Sequence, residues 1–286
     1  MTARHAPPKV APIGVFDSGV GGLSVWREIV RILPGEAMLY LADQAHVPYG
    51  ARSPAQVAAL THAATAWLID QGAKLIVIAC NTASAAALTS LRQRWPQVPI
   101  VGMEPAVKPA SQATRSGHVG VLATPGTLRA ARFSHLVERF ANGVQVHTLM
   151  GAGLVERVER NELRGPTVEA HIREIMAPVQ DVPIDHLVLG CTHFPFLASS
   201  LQKVLGDEVT LVDPAPAVAR QTQRVLRQRQ LLRHPAAKKG EWRFVSTGDV
   251  RAFQALTTSL VGELLDDASR AISFRQTSID QWLSME

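Results

Sequence analysis

An α/β fold is expected, in two similar domains that each carry a mainly parallel sheet flanked by helices. Three observations predict it. The chain has 286 residues, about two domains at the ~100–200 residues a domain usually takes. Short runs of Val, Ile and Leu recur without polar alternation, each followed by small residues and a helix-like stretch, as strands buried on both faces require. Two of these runs also end alike, in a cysteine with a threonine one or two positions later and a helix beyond.

The first strand is expected at 13–16. It runs into Asp17-Ser18-Gly19-Val20-Gly21-Gly22, whose glycines permit a tight turn, and 23–33 then reads as helix. After a strand at 38–42, the run at 75–79 leads into Cys80-Asn81-Thr82 and a helix at 83–94. Strands follow at 100–102, 119–123 and 144–149. The run at 187–190 leads into Cys191-Thr192-His193, with a helix at 196–205. A strand at 210–212 and a final strand and helix from 242 complete the pattern. Alternating strands and helices form βα units, which make parallel sheets.

Composition narrows the function classes. At 47% apolar and 19% charged, the chain has enough apolar material for two cores and too little charge for disorder. Two cysteines exclude a disulfide framework and a four-cysteine zinc site. The longest apolar stretches, such as 75–80, are far short of a membrane span, and residues 1–12 have no apolar signal-peptide core. A soluble, cytoplasmic protein is therefore expected. The net charge of +5 is local, because residues 220–239 hold seven Arg and Lys and no acid, leaving 22 basic and 24 acidic residues elsewhere. Val225, Leu226 and Leu232 interleave with those charges, so a solvated helix face is expected there and not a nucleic-acid site. Residues 235–240 read as a surface connection.

A free cysteine is often only a small buried apolar residue. Here each one sits where a strand ends and a helix begins, at the sheet edge where open α/β proteins bind ligands. The unpaired N–H groups and dipole of a helix N-terminus lower a thiol's pKa from ~8.5, which suits acid–base work near neutral pH. Inverting a carbon stereocentre needs two such groups. One removes the α-proton from one face, and the other delivers a proton to the opposite face. Ser18, Asn81, Thr82, Thr124, Thr127 and Thr192 lie at the same strand ends, where hydroxyls, amides and backbone N–H groups bind carboxylates. Each alone would be an ordinary N-cap.

Several motifs resemble those of the aspartate/glutamate racemase superfamily, and within it the cofactor-independent glutamate racemases. They are Gly14-Val15-Phe16-Asp17-Ser18-Gly19-Val20-Gly21-Gly22, Asp43 with Pro48-Tyr49-Gly50, Cys80-Asn81-Thr82, Glu104-Pro105-Ala106, Thr124-Pro125-Gly126-Thr127, Cys191-Thr192-His193-Phe194-Pro195 and Val212-Asp213-Pro214. The resemblance implies two pseudo-symmetric α/β domains around a cleft, 105–213 forming one and 1–104 with 214–286 the other. It implies Cys80 and Cys191 as the catalytic thiols, Cys80 acting on D-glutamate and Cys191 on L-glutamate. Asp17 and His193 would tune them, with Glu156 near His193. Asp17, Ser18, Tyr49, Gly50, Asn81, Thr82, Thr124, Thr192 and His193 would line the substrate site. It further implies no metal and no pyridoxal phosphate, a homodimer, and D-glutamate supplied to peptidoglycan synthesis. Two segments depart from the family pattern: His46 stands where many relatives have arginine, and Met150-Gly151-Ala152-Gly153 where relatives carry Cys-Pro.

Other readings fit less well. The loop at Gly19 lacks the third glycine of a dinucleotide fingerprint, since Ser24 stands there, and no phosphate-loop motif occurs. Cys191 and His193 supply two metal ligands with no clustered third or fourth. A Cys–His hydrolase built on Cys191 and His193 leaves Cys80 without a role. Aspartate remains an alternative substrate at this stage, because cleft size is not legible in the sequence.

Overall fold

The computed structural model describes residues 8–234 and 237–283; residues 1–7 of the N-terminal segment expected to lack a signal-peptide core, and Pro235-Ala236 of the expected surface connection, lie outside the described residues. In chain order the strands are β1 (Ile13–Asp17), β2 (Met38–Ala42), β3 (Leu75–Ile78), β4 (Ile100–Gly102), β5 (His118–Ala123), β6 (Gln145–Met150), β7 (His186–Gly190), β8 (Thr210–Val212), β9 (Trp242–Ser246) and β10 (Ile272–Gln276). Helices α1 (Leu23–Ile32), α2 (Pro54–Asp70), α3 (Asn81–Arg94), α4 (Val107–Ala113), α5 (Pro125–Leu128) and α6 (Ala131–Phe140) occupy the first half. They are followed by α7 (Leu154–Glu159), α8 (Pro166–Met176), α9 (Ala198–Leu205), α10 (Ala215–Gln228), α11 (Val250–Leu265) and α12 (Asp280–Leu283).

The strands make two parallel sheets, ordered β10-β9-β2-β1-β3-β4 and β6-β5-β7-β8. The order β2-β1-β3-β4 in the first recurs as β6-β5-β7-β8 in the second. Each sheet therefore reverses its winding once, between β1 and β3 and between β5 and β7. Ligands bind outside the carboxyl ends of strands at such reversals, where neighbouring connections leave on opposite faces. Asp17 ends β1 and Cys80 follows β3; Thr124 follows β5 and Cys191 follows β7. The two cysteines thus occupy equivalent places in the two sheets.

Burial explains which strands the sequence announces. β1, β2 and β3 are buried at every residue, and β5 and β7 at all but their first. The edge strand β10 (Ile-Ser-Phe-Arg-Gln) is only partly buried and was not expected from sequence. It pairs with β9, so the C-terminal segment returns to complete the first sheet. Local signals set the helix starts. Ser53 and Gln56 form a capping box ahead of α2 with Pro54 in its first turn, and the Asp249 side chain accepts from the Ala252 N–H ahead of α11.

One apolar cluster is continuous between the sheets, joining Ile13, Trp26 and Tyr40 to Leu122, Leu154, Leu189 and Phe194. A second packs α2 and α3 on the other face of the first sheet, through Leu60, Leu68 and Leu88 against Phe16, Ile76 and Ile78. On α10, Arg220, Arg224 and Arg227 are exposed opposite buried Val218, Thr222 and Leu226, the solvated face expected for this basic segment. No helix among the described residues is long and apolar enough to cross a membrane.

Candidate active site

Cys80 is the N-cap of α3, its Sγ accepting from the Ala83 N–H at 3.4 Å and donating to Ser18 Oγ at 3.8 Å. The helix N-terminus expected to lower its pKa does not prevail. Burial and the neighbouring Asp17 charge outweigh the Ala83 and Ser18 contacts, and the thiol is pushed up to about 12. Asp17 is itself fully buried, accepting from the Gly19 N–H and Thr192 Oγ1, each at 3.0 Å. Burial raises its pKa, and His193 and these two donors offset part of the rise.

The second cysteine is placed differently. After Cys191 the chain enters a 3₁₀ turn, Phe194–Leu197, and α9 begins only at Ala198, later than the helix expected from 196. No regular α-helix starts at this thiol. Its neighbour is instead a ring, with His193 Nδ1 3.7 Å from Cys191 Sγ and Nε2 2.7 Å from Glu159 Oε1. Burial disfavours a charged imidazole, yet the contacts with Cys191 and Glu159 overcome it and hold the His193 pKa well above its ordinary value. For Glu159, burial is likewise overcome by His193, the Val20 N–H and Gln44, and its pKa lies below the usual range. The favoured state is an imidazolium between a carboxylate and a cysteine sulfur.

The glycine-rich loop seats this assembly. A β-carbon on Gly21 would lie 2.2 Å from His193 Nδ1, and one on Gly19 would lie 1.9 Å from Glu159 Oε1. The Val20 N–H donates to Glu159 Oε1 at 2.8 Å, and Ser24 Oγ donates to the Thr192 carbonyl at 2.9 Å. The glycines are needed because the backbone of one lobe lies directly against side chains of the other.

The remaining expected residues gather around the thiols. Thr82 Oγ1 of the first lobe lies 2.9 Å from Thr124 Oγ1 and 3.3 Å from Thr127 Oγ1 of the second. Asn81 is buried, and neither atom of its side-chain amide has a hydrogen-bond partner. Such a group is costly in a folded interior unless a partner is supplied to it. Gly50 packs on Thr124, where a β-carbon would come within 2.8 Å. The Tyr49 hydroxyl donates to buried Asp43 Oδ2 at 2.6 Å, and the departing residue His46 reaches the same carboxylate, Nδ1 to Oδ1, at 2.9 Å. Both hold the loop that carries Gly50.

Glu156 requires a correction, because the acid against His193 is Glu159. Gly153, at φ +76°, opens α7, and Gly151 leaves room for Phe194, whose ring a β-carbon would approach to 2.5 Å. The helix so placed points its last turn at His193. Glu156 lies one turn earlier, and its carbonyl accepts from the Arg160 N–H. The one available signal was that Glu159 shares this short helix with Glu156. Gln44 was also missed, since nothing local distinguishes it. Among the described residues no three His, Cys, Asp or Glu side chains converge as a metal site.

The arrangement presents two buried thiols from equivalent strand ends, one beside a cation and one beside hydroxyls and an unpaired amide. The sequence profile of the Asp/Glu/Hydantoin racemase family matches residues 13–222. A glutamate racemase of Ectopseudomonas mendocina (strain ymp) is 51% identical over 254 residues, 88% of this chain and 95% of that one. One from Pseudomonas aeruginosa PAO1 is 54% identical over 222 residues, covering 78% and 84%. Among solved structures, the Escherichia coli glutamate racemase in complex with L-glutamate and the activator UDP-MurNAc-ala superposes with a TM-score of 0.78 at 33% identity, over 94% of this chain and 98% of that one. The Francisella tularensis glutamate racemase in complex with D-glutamate gives 0.80 at 29%, over 96% and 99%.

Proposed function

From the premise that the chain belongs to the Asp/Glu/Hydantoin racemase family, we infer that Cys80 and Cys191 are the acid–base pair of its reaction. The enzyme interconverts L- and D-glutamate, as glutamate racemases of about half-identical sequence support, together with the L-glutamate complex of the Escherichia coli enzyme and the D-glutamate complex of the Francisella tularensis enzyme. The observation that carries the assignment of the thiols is their equivalent placement at the winding reversals of two sheets with the same strand order.

In the direction from L-glutamate, the Cys191 sulfur takes the α-proton as a thiolate, with the His193 imidazolium beside it. The electron pair of the broken C–H bond stays on the substrate and spreads into its carboxylate. Cys80, which burial keeps protonated, delivers its proton to the opposite face. Product therefore leaves Cys191 as thiol and Cys80 as thiolate, the form that acts on D-glutamate. Ser18, Asn81, Thr82, Thr124 and Thr192 bind the substrate's polar ends, and the unpaired Asn81 amide finds its partner there. The same reading makes the protein a cytoplasmic homodimer that supplies D-glutamate to peptidoglycan synthesis.

The test is incubation with L-glutamate in D₂O, without pyridoxal phosphate and with a chelator, with L-aspartate run alongside. Loss of optical rotation with deuterium at the α-carbon is expected for glutamate. Cys80→Ala and Cys191→Ala should each abolish racemisation with circular dichroism unchanged. Near-wild-type turnover by either variant would overturn the two-thiol assignment, and reaction of aspartate in place of glutamate would overturn the substrate.

A further inference from the structure

We infer that Gln44 is a positioning residue of this reaction, its side-chain amide orienting the Glu159 carboxylate that holds the His193 imidazolium against Cys191. The inference rests on the two-thiol reading above. Gln44 lies just beyond β2, at the same sheet edge as Asp17 and Cys80. Its Nε2 donates to Glu159 Oε2 at 3.0 Å across 115 positions of sequence. Its Oε1 accepts from Ser246 Oγ at 2.9 Å, at the end of β9.

The orientation of the amide follows from its neighbours. Ser246 Oγ accepts from the Gly248 N–H at 3.0 Å, which directs the hydroxyl proton toward Gln44. Gln44 must therefore meet Ser246 with its oxygen and Glu159 with its NH₂. Glu159 Oε1 is engaged by the Val20 N–H at 2.8 Å and His193 Nε2 at 2.7 Å, which leaves Oε2 to Gln44. Strand β9 thus braces the Cys191 side through Ser246, Gln44, Glu159 and His193, while Cys80 takes its contacts from Ser18 and Ala83.

The charged and titratable groups that face Glu159 are His193 after β7, Asp17 at the end of β1 and Tyr40 on β2, with Cys191 beyond the imidazole. Donation by Gln44 favours the ionised carboxylate. Without it Glu159 protonates at higher pH, and a protonated Glu159 no longer stabilises the imidazolium. Activity is then lost sooner as pH falls.

The experiment is the pH profile of kcat/KM for wild type, Gln44→Leu, Gln44→Glu and Ser246→Ala, each checked by circular dichroism. Loss of a hydrogen bond to a charged group should move the acid limb of Gln44→Leu up by about one pH unit. Gln44→Glu should move it further, because two carboxylates then face each other. Ser246→Ala frees the amide without removing it, so a smaller shift in the same direction is expected. An unchanged acid limb in both Gln44 variants overturns the proposal, even if kcat falls, because packing alone does not move a titration. Failure of the two-thiol reading would appear separately, as racemisation by Cys191→Ala.

Discussion

Glu156 and Glu159 have the same side chain on the same short helix, and one helical turn decides which of them meets His193. The difference is testable with isosteric changes. Glu159→Gln keeps the size and removes the charge that holds the imidazolium, so kcat/KM should fall by about tenfold or more, the scale of a charge-assisted contact. Glu156→Gln should stay within about twofold of wild type, as for substitutions away from a site's contacts. L- and D-glutamate have equal free energy, so kcat/KM must fall equally in the two directions, and only kcat and KM taken separately can differ. Equal losses in the two variants would return Glu156 to the site. Cys80 makes the same point about environment. A helix N-terminus lowers a thiol's pKa, but full burial beside Asp17 raises it by more.

The loop between β1 and α1 shows how an element acquires a role its motif does not announce. Its glycines look like a turn or a phosphate cradle in sequence. In the fold they let one lobe's backbone lie against Thr192, His193 and Glu159 of the other. Gly21→Ala places a β-carbon 2.2 Å from His193 Nδ1 and 2.6 Å from Thr192 Oγ1, so the ring must leave its place beside Cys191. Overpacking of this kind costs about 1–3 kcal/mol of stability, and a larger proportional loss of kcat is expected. Gly35→Ala is the matched control, with nothing within 4 Å of the added carbon. Denaturant unfolding together with turnover separates the two effects. Wild-type kcat in Gly21→Ala would show that the loop does not set the ring position.

At the scale of the whole molecule, the two lobes are joined by more than their connections. The largest apolar cluster spans both sheets, and a polar seam from Asp17, Val20, Ser24 and Gln44 to Thr192 and Glu159 runs beside it. Neither lobe can lose its packing without exposing the other, so unfolding is expected as one cooperative transition. The tryptophans make this measurable, because all five belong to the first sheet's lobe, those at 26, 67, 242 and 282 on its elements and Trp95 at the C-terminal end of α3. Their fluorescence reports that lobe, while far-ultraviolet circular dichroism reports both. Coincident denaturation curves are expected, and a circular-dichroism transition invisible to fluorescence would show that the second lobe unfolds alone.

The sequence by itself determined the α/β class, the parallel strands buried on both faces and the two thiols at strand ends. Those features are local: a run such as 75–79 carries its own burial pattern, and a cysteine after it is placed by the strand's length. Its motifs also pointed to the family. Edge strands were harder to read, because β10 is half exposed and lacks the apolar run that marks a central strand. Only the tertiary structure decided that Glu159 supports His193, that the glycine loop is a lobe-to-lobe seat and that burial keeps Cys80 protonated. Those outcomes depend on groups far apart in sequence, 139 positions for Val20 to Glu159 and 175 for Asp17 to Thr192. Desolvation and hydrogen bonding depend on which atoms surround a group in space, and residues adjacent in the chain account for few of them.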